Sequence, residues 1–252
     1  MRVVKVGGRV QRDPRLAAAL AALWRSAPAS YCLVHGGGDT ISALQSRLGG
    51  APRFVDGRRV TSEEDISVLR MSLSGVANKE LVDSLSTEGI HAVGVSGEDG
   101  ALIVARAIDA ERLGRVGAPV EVNDCLLRAL LAAGFLPVVS PVSRSDAAHG
   151  GALNVNADDA AAAIACALDA EELLLVSDVP GVIVDGMPVR TLSFDDATDA
   201  VERGIATAGM ATKLRAALGA ASRGVPQVRI GDLDSLLDPT LGTTLLATPQ
   251  PA

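Results

Sequence analysis

Lysine is scarce in this chain. Of its 23 basic residues 20 are arginine, and the lysines are Lys5, Lys79 and Lys213. Against that bias, a retained lysine marks a place where a compact ammonium does what a planar guanidinium cannot. Lys5 stands two residues before Gly7-Gly8, and a second apolar run breaks at His35-Gly36-Gly37-Gly38. Glycines at the end of a strand let backbone N–H groups approach an anion, and a helix N-terminus after them favours negative charge. Neither cluster is a P-loop, and neither fits G-x-G-x-x-G. One triple glycine alone is as well explained by a tight strand-to-helix turn. Two clusters, one with a rare lysine just upstream, favour a ligand.

Three further segments carry polar chemistry. Asn154-Val155-Asn156-Ala157-Asp158-Asp159 opens a helix whose body is nearly all alanine. Capping by Asn156 with acids in the first turn explains part of it. Asn154 is left over, and Asp158 is placed to hold the ammonium groups of two lysines facing the same crevice. Gly209-Met210-Ala211-Thr212-Lys213 opens a later helix, with Lys213 expected in its first turn. A cation is mildly unfavourable there unless an anion such as a phosphate sits between it and the helix end. Ser177-Asp178-Val179-Pro180-Gly181 follows the most apolar strand and reads as a nucleotide-contacting loop or as an ordinary Pro-Gly turn.

Composition removes other classes. The chain has 252 residues, 30 acidic against 23 basic, a formal net charge of −7 and 2% aromatic residues. Nucleic-acid binding is therefore not expected: there is no basic patch and no stacking platform. Cys32, Cys125 and Cys166 lie far apart and read as small apolar residues, so neither a disulfide frame nor a protein metal site is expected. No apolar run is long enough to span a membrane and no secretory signal is recognisable, so a cytoplasmic protein is expected.

Elements that would position these groups alternate along the chain. Strands are expected at 3–6, 31–34, 90–96, 136–140, 173–177, 228–230 and 244–247, with Leu102 to Ala105 returning as a strand paired to 90–96. Helices are expected at 15–25, from Asp39 or Thr40 to 48, from Thr61 or Ser62 to about 78, and at 79–88, 123–133, 158–168, 195–203 and 210–223. Residues 49–61 suggest a hairpin, 144–153 a mobile loop and 248–252 a frayed tail. This alternation predicts an α/β protein with a mostly parallel sheet covered on both faces.

In this order and spacing the segments resemble the amino acid kinase family. Those carrying the resemblance are Lys5-Val6-Gly7-Gly8, His35 to Gly38, Phe54 to Thr61, Ala77-Asn78-Lys79, Val93 to Gly97, Asn154 to Asp158, Ser177 to Gly181, Gly209 to Lys213 and Gly242-Thr243. The resemblance covers nearly the whole chain. It implies a three-layer α/β sandwich forming one domain, residues 1–252. An N-terminal lobe of about 1–172 would bind an acyl amino acid and dimerise, and a C-terminal lobe of about 173–252 would bind ATP. The implied reaction is phosphorylation of the side-chain carboxylate of N-acetyl-L-glutamate, a step of arginine biosynthesis, with Mg²⁺ carried by the nucleotide.

The resemblance also assigns residues. Lys5 and Lys213 would stabilise the transferring phosphoryl group, and Asp158 would orient both. Gly36, Gly37, Arg59 and Asn154 would hold the acyl amino acid. Gly8, Ser177, Asp178, Val179, Pro180, Gly181, Val182, Ala208, Gly209, Met210 and Ala211 would contact the nucleotide. Lys79 is read as structural, and His35, His91 and His149 need no catalytic role. Because no helical extension precedes Lys5, a plain homodimer without arginine control is expected. Two other readings stay open: a kinase for an N-acyl-aminoadipate or N-succinylglutamate, and a non-catalytic sensor of amino acids or nucleotides. Retention of Lys5, Asp158 and Lys213 together favours catalysis, and the arginine in Gly57-Arg58-Arg59-Val60-Thr61 suits the free α-carboxylate of a glutamate.

Overall fold

A computed structural model describes residues 1–184, 186–206 and 208–246, with Ala208 by its backbone only. Strand β1 (Arg2–Val6) lies at the centre of its sheet. It pairs in parallel with β2 (Tyr31–His35) on one side and with β10 (Glu172–Val176) on the other. Alternation along β1 explains the layers. Val3 packs into one apolar cluster with the alanine-rich helices, and Val4 and Val6 pack into a second cluster on the opposite face. The chain is thus an α/β sandwich of three layers, with a sheet of mainly parallel strands.

Helix α1 (Leu16–Ser26) covers the second face, and α2 (Gly38–Arg47) starts at the triple glycine. Strands β3 (Phe54–Val55) and β4 (Arg58–Arg59) form the expected hairpin. Ser62 then starts α3 (Glu63–Leu69) with a capping box: its Oγ accepts from Asp65 N–H while Asp65 accepts from Ser62 N–H at 2.8 Å. The single helix expected to about Asn78 is broken in character. Residues Arg70–Ala77 are wound as a π-helix that runs straight into α4 (Asn78–Thr87). The wider winding seats Leu73 against Gly37, and no residue type in the segment marks it in advance.

Beyond α4 the expected pairing is corrected. Strand β5 (Ala92–Gly97) pairs with β8 (Leu136–Ser145), not with β6 (Ile103–Ala107). Strand β6 pairs instead with β7 (Val116–Val122), after the short α5 (Ala110–Leu113), and with the far end of β8. The register shift at Ser96/Gly97 turns β5 away from β6. Strand β7 is absent from the expectation because its sequence alternates weakly and carries Pro119. After α6 (Cys125–Ala132), β8 runs five residues past the expected end, so the loop shrinks to 146–151 before β9 (Ala152–Val155). Strand β9 feeds α7 (Ala157–Ala167), which lies on the first face of β1.

In the last third, β11 (Ile183–Val184) and β12 (Met187–Pro188) make a small hairpin, and β13 (Thr191–Ser193) leads into α8 (Phe194–Glu202). Helix α9 (Ala208–Ser222) begins two residues before the expected start, so Lys213 falls in its second turn, not its first. Strand β14 (Gln227–Gly231), α10 (Asp234–Leu237) and β15 (Thr243–Leu246) complete the chain. Residue 247 of the last expected strand and the proposed tail 248–252 lie outside the described residues. Strand β1 has β2 on one side and β10 on the other, so the two halves of the chain meet at it. The crevice beyond the carboxyl ends of these strands is where such folds bind ligands.

Candidate functional site

Lys5 shares its strand face with Val3, so its side chain runs beneath α7 toward that helix's first turn. There Lys5 Nζ lies 2.8 Å from Asp158 Oδ1, and Lys213 Nζ lies 3.7 Å from Asp158 Oδ2. Three elements, β1, α7 and α9, thus bring two lysines to one carboxylate. The Lys5 contact is an ion pair without good hydrogen-bond alignment, so charge rather than directional bonding holds it. Asn156 caps α7 through its side-chain oxygen, which accepts from the N–H groups of Asp158 and Asp159. Burial by itself would raise the Asp158 pKa, but the charges of Lys5 and Lys213 outweigh it and hold the carboxyl below its ordinary value. Burial pushes the Lys213 ammonium below its ordinary range, with Asp158 opposing and Lys5 reinforcing.

The two glycine turns meet backbone to backbone. A side chain on Gly8 would stand 3.1 Å from Gly37 Cα, and one on Gly37 would stand 2.6 Å from Leu73 Cδ2. A larger residue at either position would force the turns or Leu73 to shift. Behind it, Gly36 N–H donates to Val6 O at 3.0 Å, and Gln11 Nε2 donates to Gly36 O at 2.7 Å. Lys5, Gly8, Gly36, Gly37, Arg59, Asn154 and Asp158 all line one cavity of about 250 Å³. Every residue assigned to the acyl amino acid therefore shares a wall with Lys5 and Asp158.

Arg59 is held on several sides. Its guanidinium donates to Gln45 Oε1 at 3.0 Å, Gly38 O at 3.0 Å and Ser42 Oγ at 2.7 Å, and it lies 4.7 Å from the Phe54 ring centre. Asn154 Nδ2 donates to Thr61 Oγ1 at 2.9 Å, which ties β9 to the end of the hairpin. Arg58, not singled out from the sequence, lines the same cavity and pairs with Asp159 at 3.0 Å. Burial raises the Asp159 pKa and Arg58 offsets part of that rise.

The residues assigned to the nucleotide are more dispersed. Ser177 and Asp178 line a second cavity of about 240 Å³ with Arg9 and Asp232. Pro180 lines a different one, of about 300 Å³, near Gly242. Gly181 and Val182 are buried against Thr243, whose Oγ1 accepts from Val182 N–H at 2.8 Å. Val182 packs within the apolar core. Val179 is half-buried beside Asp178, Gly209 is exposed, Met210 is half-buried and Ala211 is buried on α9. The Ala208 side chain lies outside the description. Arg9, absent from the expectation, bridges Asp178 and Asp39 at 2.9 and 3.8 Å. Its place directly after Gly7-Gly8 was the available signal.

A sheet whose first strand ends in a lysine-bearing glycine turn, facing a second glycine turn and a lysine–aspartate–lysine cluster, fits phosphoryl-transfer proteins. Residues 1–232 match the amino acid kinase family, and the chain belongs to it. It is 43% identical over 249 residues to an acetylglutamate kinase of Methanopyrus kandleri, covering 94% of this chain and 97% of that one. It is 41% identical over 230 residues to an acetylglutamate kinase of Geobacillus kaustophilus, covering 90% and 88%. Among solved structures, N-acetylglutamate synthase from Neisseria gonorrhoeae, complexed with coenzyme A and N-acetyl-glutamate, superposes with a TM-score of 0.84. It is 25% identical, and the alignment covers 99% of this chain and 60% of that one.

Proposed function

We infer that this enzyme transfers the γ-phosphoryl group of ATP to the side-chain carboxylate of N-acetyl-L-glutamate, a step in arginine biosynthesis. The observation that carries the reading is the meeting of Lys5 and Lys213 at Asp158, with Lys5 and Asp158 on the wall of the Arg59- and Asn154-lined cavity. It stands in a chain similar along nearly its full length to proteins named for that activity. A carboxylate is ionised at neutral pH, so the acceptor needs no general base. One of its oxygens attacks the γ-phosphorus in line, the bond to the β-phosphate bridging oxygen breaks, and ADP leaves with that electron pair. The products are an acyl phosphate and ADP, and no proton moves. Catalysis then rests on positioning and on neutralising charge at the three equatorial oxygens.

In this reading Lys5 and Lys213 supply that neutralisation and Asp158 keeps both ammonium groups aimed. Backbone N–H groups of Gly8 and Gly37 add donors where the two turns touch. Arg59 and Asn154 hold the acyl amino acid. Ser177 to Val182 and Ala208 to Ala211 form the nucleotide side. Residues 1–172 make the acceptor lobe and 173–252 the nucleotide lobe of one domain. Asp158 is already paired with two lysines, so Mg²⁺ is assigned to the nucleotide and arrives as MgATP. The enzyme works in the cytoplasm as a homodimer, for which exposed Met71 and Val76 on the π-helix offer an apolar face. An ADP-release assay across N-acetylglutamate, N-succinylglutamate, free glutamate and N-acetyl-aminoadipate tests the reading. Highest kcat/KM with N-acetylglutamate is expected, and ADP release that depends on none of the four would overturn it.

A further inference from the structure

Charge is not spread evenly over the mouth of the crevice. Beyond Lys5, Asp158 and Lys213, the alternation continues through Asp178, Arg9 and Asp39 to Arg12. Arg9 Nη1 lies 2.9 Å from Asp178 Oδ2, Arg9 Nε lies 3.8 Å from Asp39 Oδ2, and Arg12 Nη1 lies 3.9 Å from that same oxygen. The hydrogen bond from Arg9 is the main cause of a lowered Asp178 pKa, and the charge of Lys213 adds to it, so Asp178 lies within electrical reach of both cations. Arg9 follows the Gly7-Gly8 turn, and Gly8 touches the turn that starts α2, where Asp39 sits. One guanidinium therefore spans from the Ser177–Gly181 loop to the N-terminus of α2.

Two features argue that Arg9 is more than a strap. Its side chain is 72% exposed, and exposed ion pairs hold weakly, so the bridge is easily exchanged. Asp178 also points negative charge at the cavity it lines, where an incoming polyphosphate would be repelled unless a cation intervenes. A guanidinium takes two phosphate oxygens at once, which a lone carboxylate oxygen at 2.9 Å cannot match.

We propose that Arg9 is a further phosphate-binding residue of this site: on arrival of MgATP it leaves Asp178 and takes the β,γ end of the polyphosphate, adding a third cation to Lys5 and Lys213. The proposal rests on the phosphoryl-transfer reading above, and its test separates the two. Binding of AMP-PNP and of AMP, each with Mg²⁺, is measured by calorimetry for the wild type, Arg9→Ala, Arg9→Lys and Arg12→Ala. Arg9→Ala is expected to weaken AMP-PNP by about 10-fold or more, the scale of a lost charge-assisted hydrogen bond. AMP, which lacks the β,γ end, should change by less than about two-fold, as for ordinary surface substitutions. Arg9→Lys should recover part of the loss, and Arg12→Ala should show none of it. In steady state, Arg9→Ala should raise KM for ATP and lower kcat while KM for N-acetylglutamate stays put.

Equal losses for AMP and AMP-PNP would overturn the proposal, as would a lowered melting temperature with unchanged nucleotide constants, the mark of a strap. The same loss in Arg12→Ala would also overturn it, because it would show a diffuse field instead of a contact. These binding measurements need no acceptor. A wild type that binds AMP-PNP through Arg9 yet fails to phosphorylate N-acetylglutamate would sink the functional reading and leave this one standing.

Discussion

The lysines form two side-chain networks, one around Lys79 at the start of α4 and one around Lys5 and Lys213, and they differ in how their hydrogen bonds close. Around Lys79, every polar atom has an answer. Its Nζ donates to Gly94 O and to Asn78 Oδ1, both at 2.9 Å; Asn78 Nδ2 donates to Val138 O at 2.9 Å and faces His35 Nε2 at 3.1 Å. A lysine has only donors, so Asn78 must present its oxygen to Lys79 and its NH₂ to His35. The imidazole is thereby fixed as an acceptor at Nε2, with its proton on Nδ1, 3.0 Å from Gly36 O. Around Lys5 and Lys213 nothing closes in this way. Two cations share one carboxylate, one ammonium at 3.7 Å, beside an open cavity. A closed network fixes a shape, whereas an open one keeps donors for a ligand.

That contrast breaks most easily at Lys5 and Lys213. Lys5→Ala and Lys213→Ala are each expected to lower kcat by about 10²–10³-fold, the usual loss for one transition-state charge contact. Circular dichroism spectra should match the wild type. Lys79→Ala should leave kcat within a few-fold. If all three lysines lose rate equally, the open and closed networks do not divide as drawn.

The closed network should announce itself through pH. Burial, with the charges of Lys5 and Lys79 nearby, pushes the His35 pKa down to about 4. An ordinary histidine titrates near 6.5, so between those values the unfolded chain binds the extra proton and folding resists it. Stability from neutral His35 is complete above pH ~6.5, declines as pH falls toward 4, and amounts to about 3 kcal/mol over that window. Asp158, held below its ordinary 3.8, adds acid sensitivity only at lower pH. Urea midpoints at several pH values from 7 to 4.5 should fall for the wild type and fall distinctly less for His35→Gln. Parallel curves would mean that His35 is protonated in the fold.

A smaller effect sharpens the same division. Lys79→Met keeps the stem but removes the donor to Asn78 Oδ1 and Gly94 O, and should cost about 0.5–1.5 kcal/mol of stability. Chemical denaturation measures it directly. A loss of activity at unchanged stability would instead move Lys79 into the chemistry.

Much of this was legible in the sequence because it sits in short local signals. The lysine at the end of β1, the glycine turns, the Asn156 cap and the expected pairing of Asp158 with two lysines need only a strand and two helix starts to be placed correctly. What escaped was non-local. The π-helix at Arg70–Ala77 has no residue signature, and strand β7 is recognisable only once β6 and β9 flank it. Likewise, nothing near Lys79 says that Gly94 lies 15 positions on and within reach, or that Asn78 would orient His35. The contact that buries Val182 against Thr243, brought alongside by β15, is equally non-local.

Arg59 stands between the two kinds of lysine site and offers the subtlest test. Like Lys79 it spends donors on the protein, on Gln45, Ser42 and Gly38 O; like Lys5 it lines the cavity. Arg59→Lys keeps the charge but loses the planar fork, which serves both tasks. A lysine cannot reach Gln45 and Ser42 together while presenting a two-pronged face to a carboxylate. The expected outcome is a rise of about 10-fold in KM for N-acetylglutamate, one charge-assisted contact's worth. KM for ATP should hold, because the residues assigned to the nucleotide touch neither Gln45 nor Ser42. Initial rates at saturating levels of each substrate in turn separate these constants. A shift in ATP affinity alone would reverse the assignment of the lobes. A loss of stability with both constants unchanged would place Arg59 wholly with the closed networks.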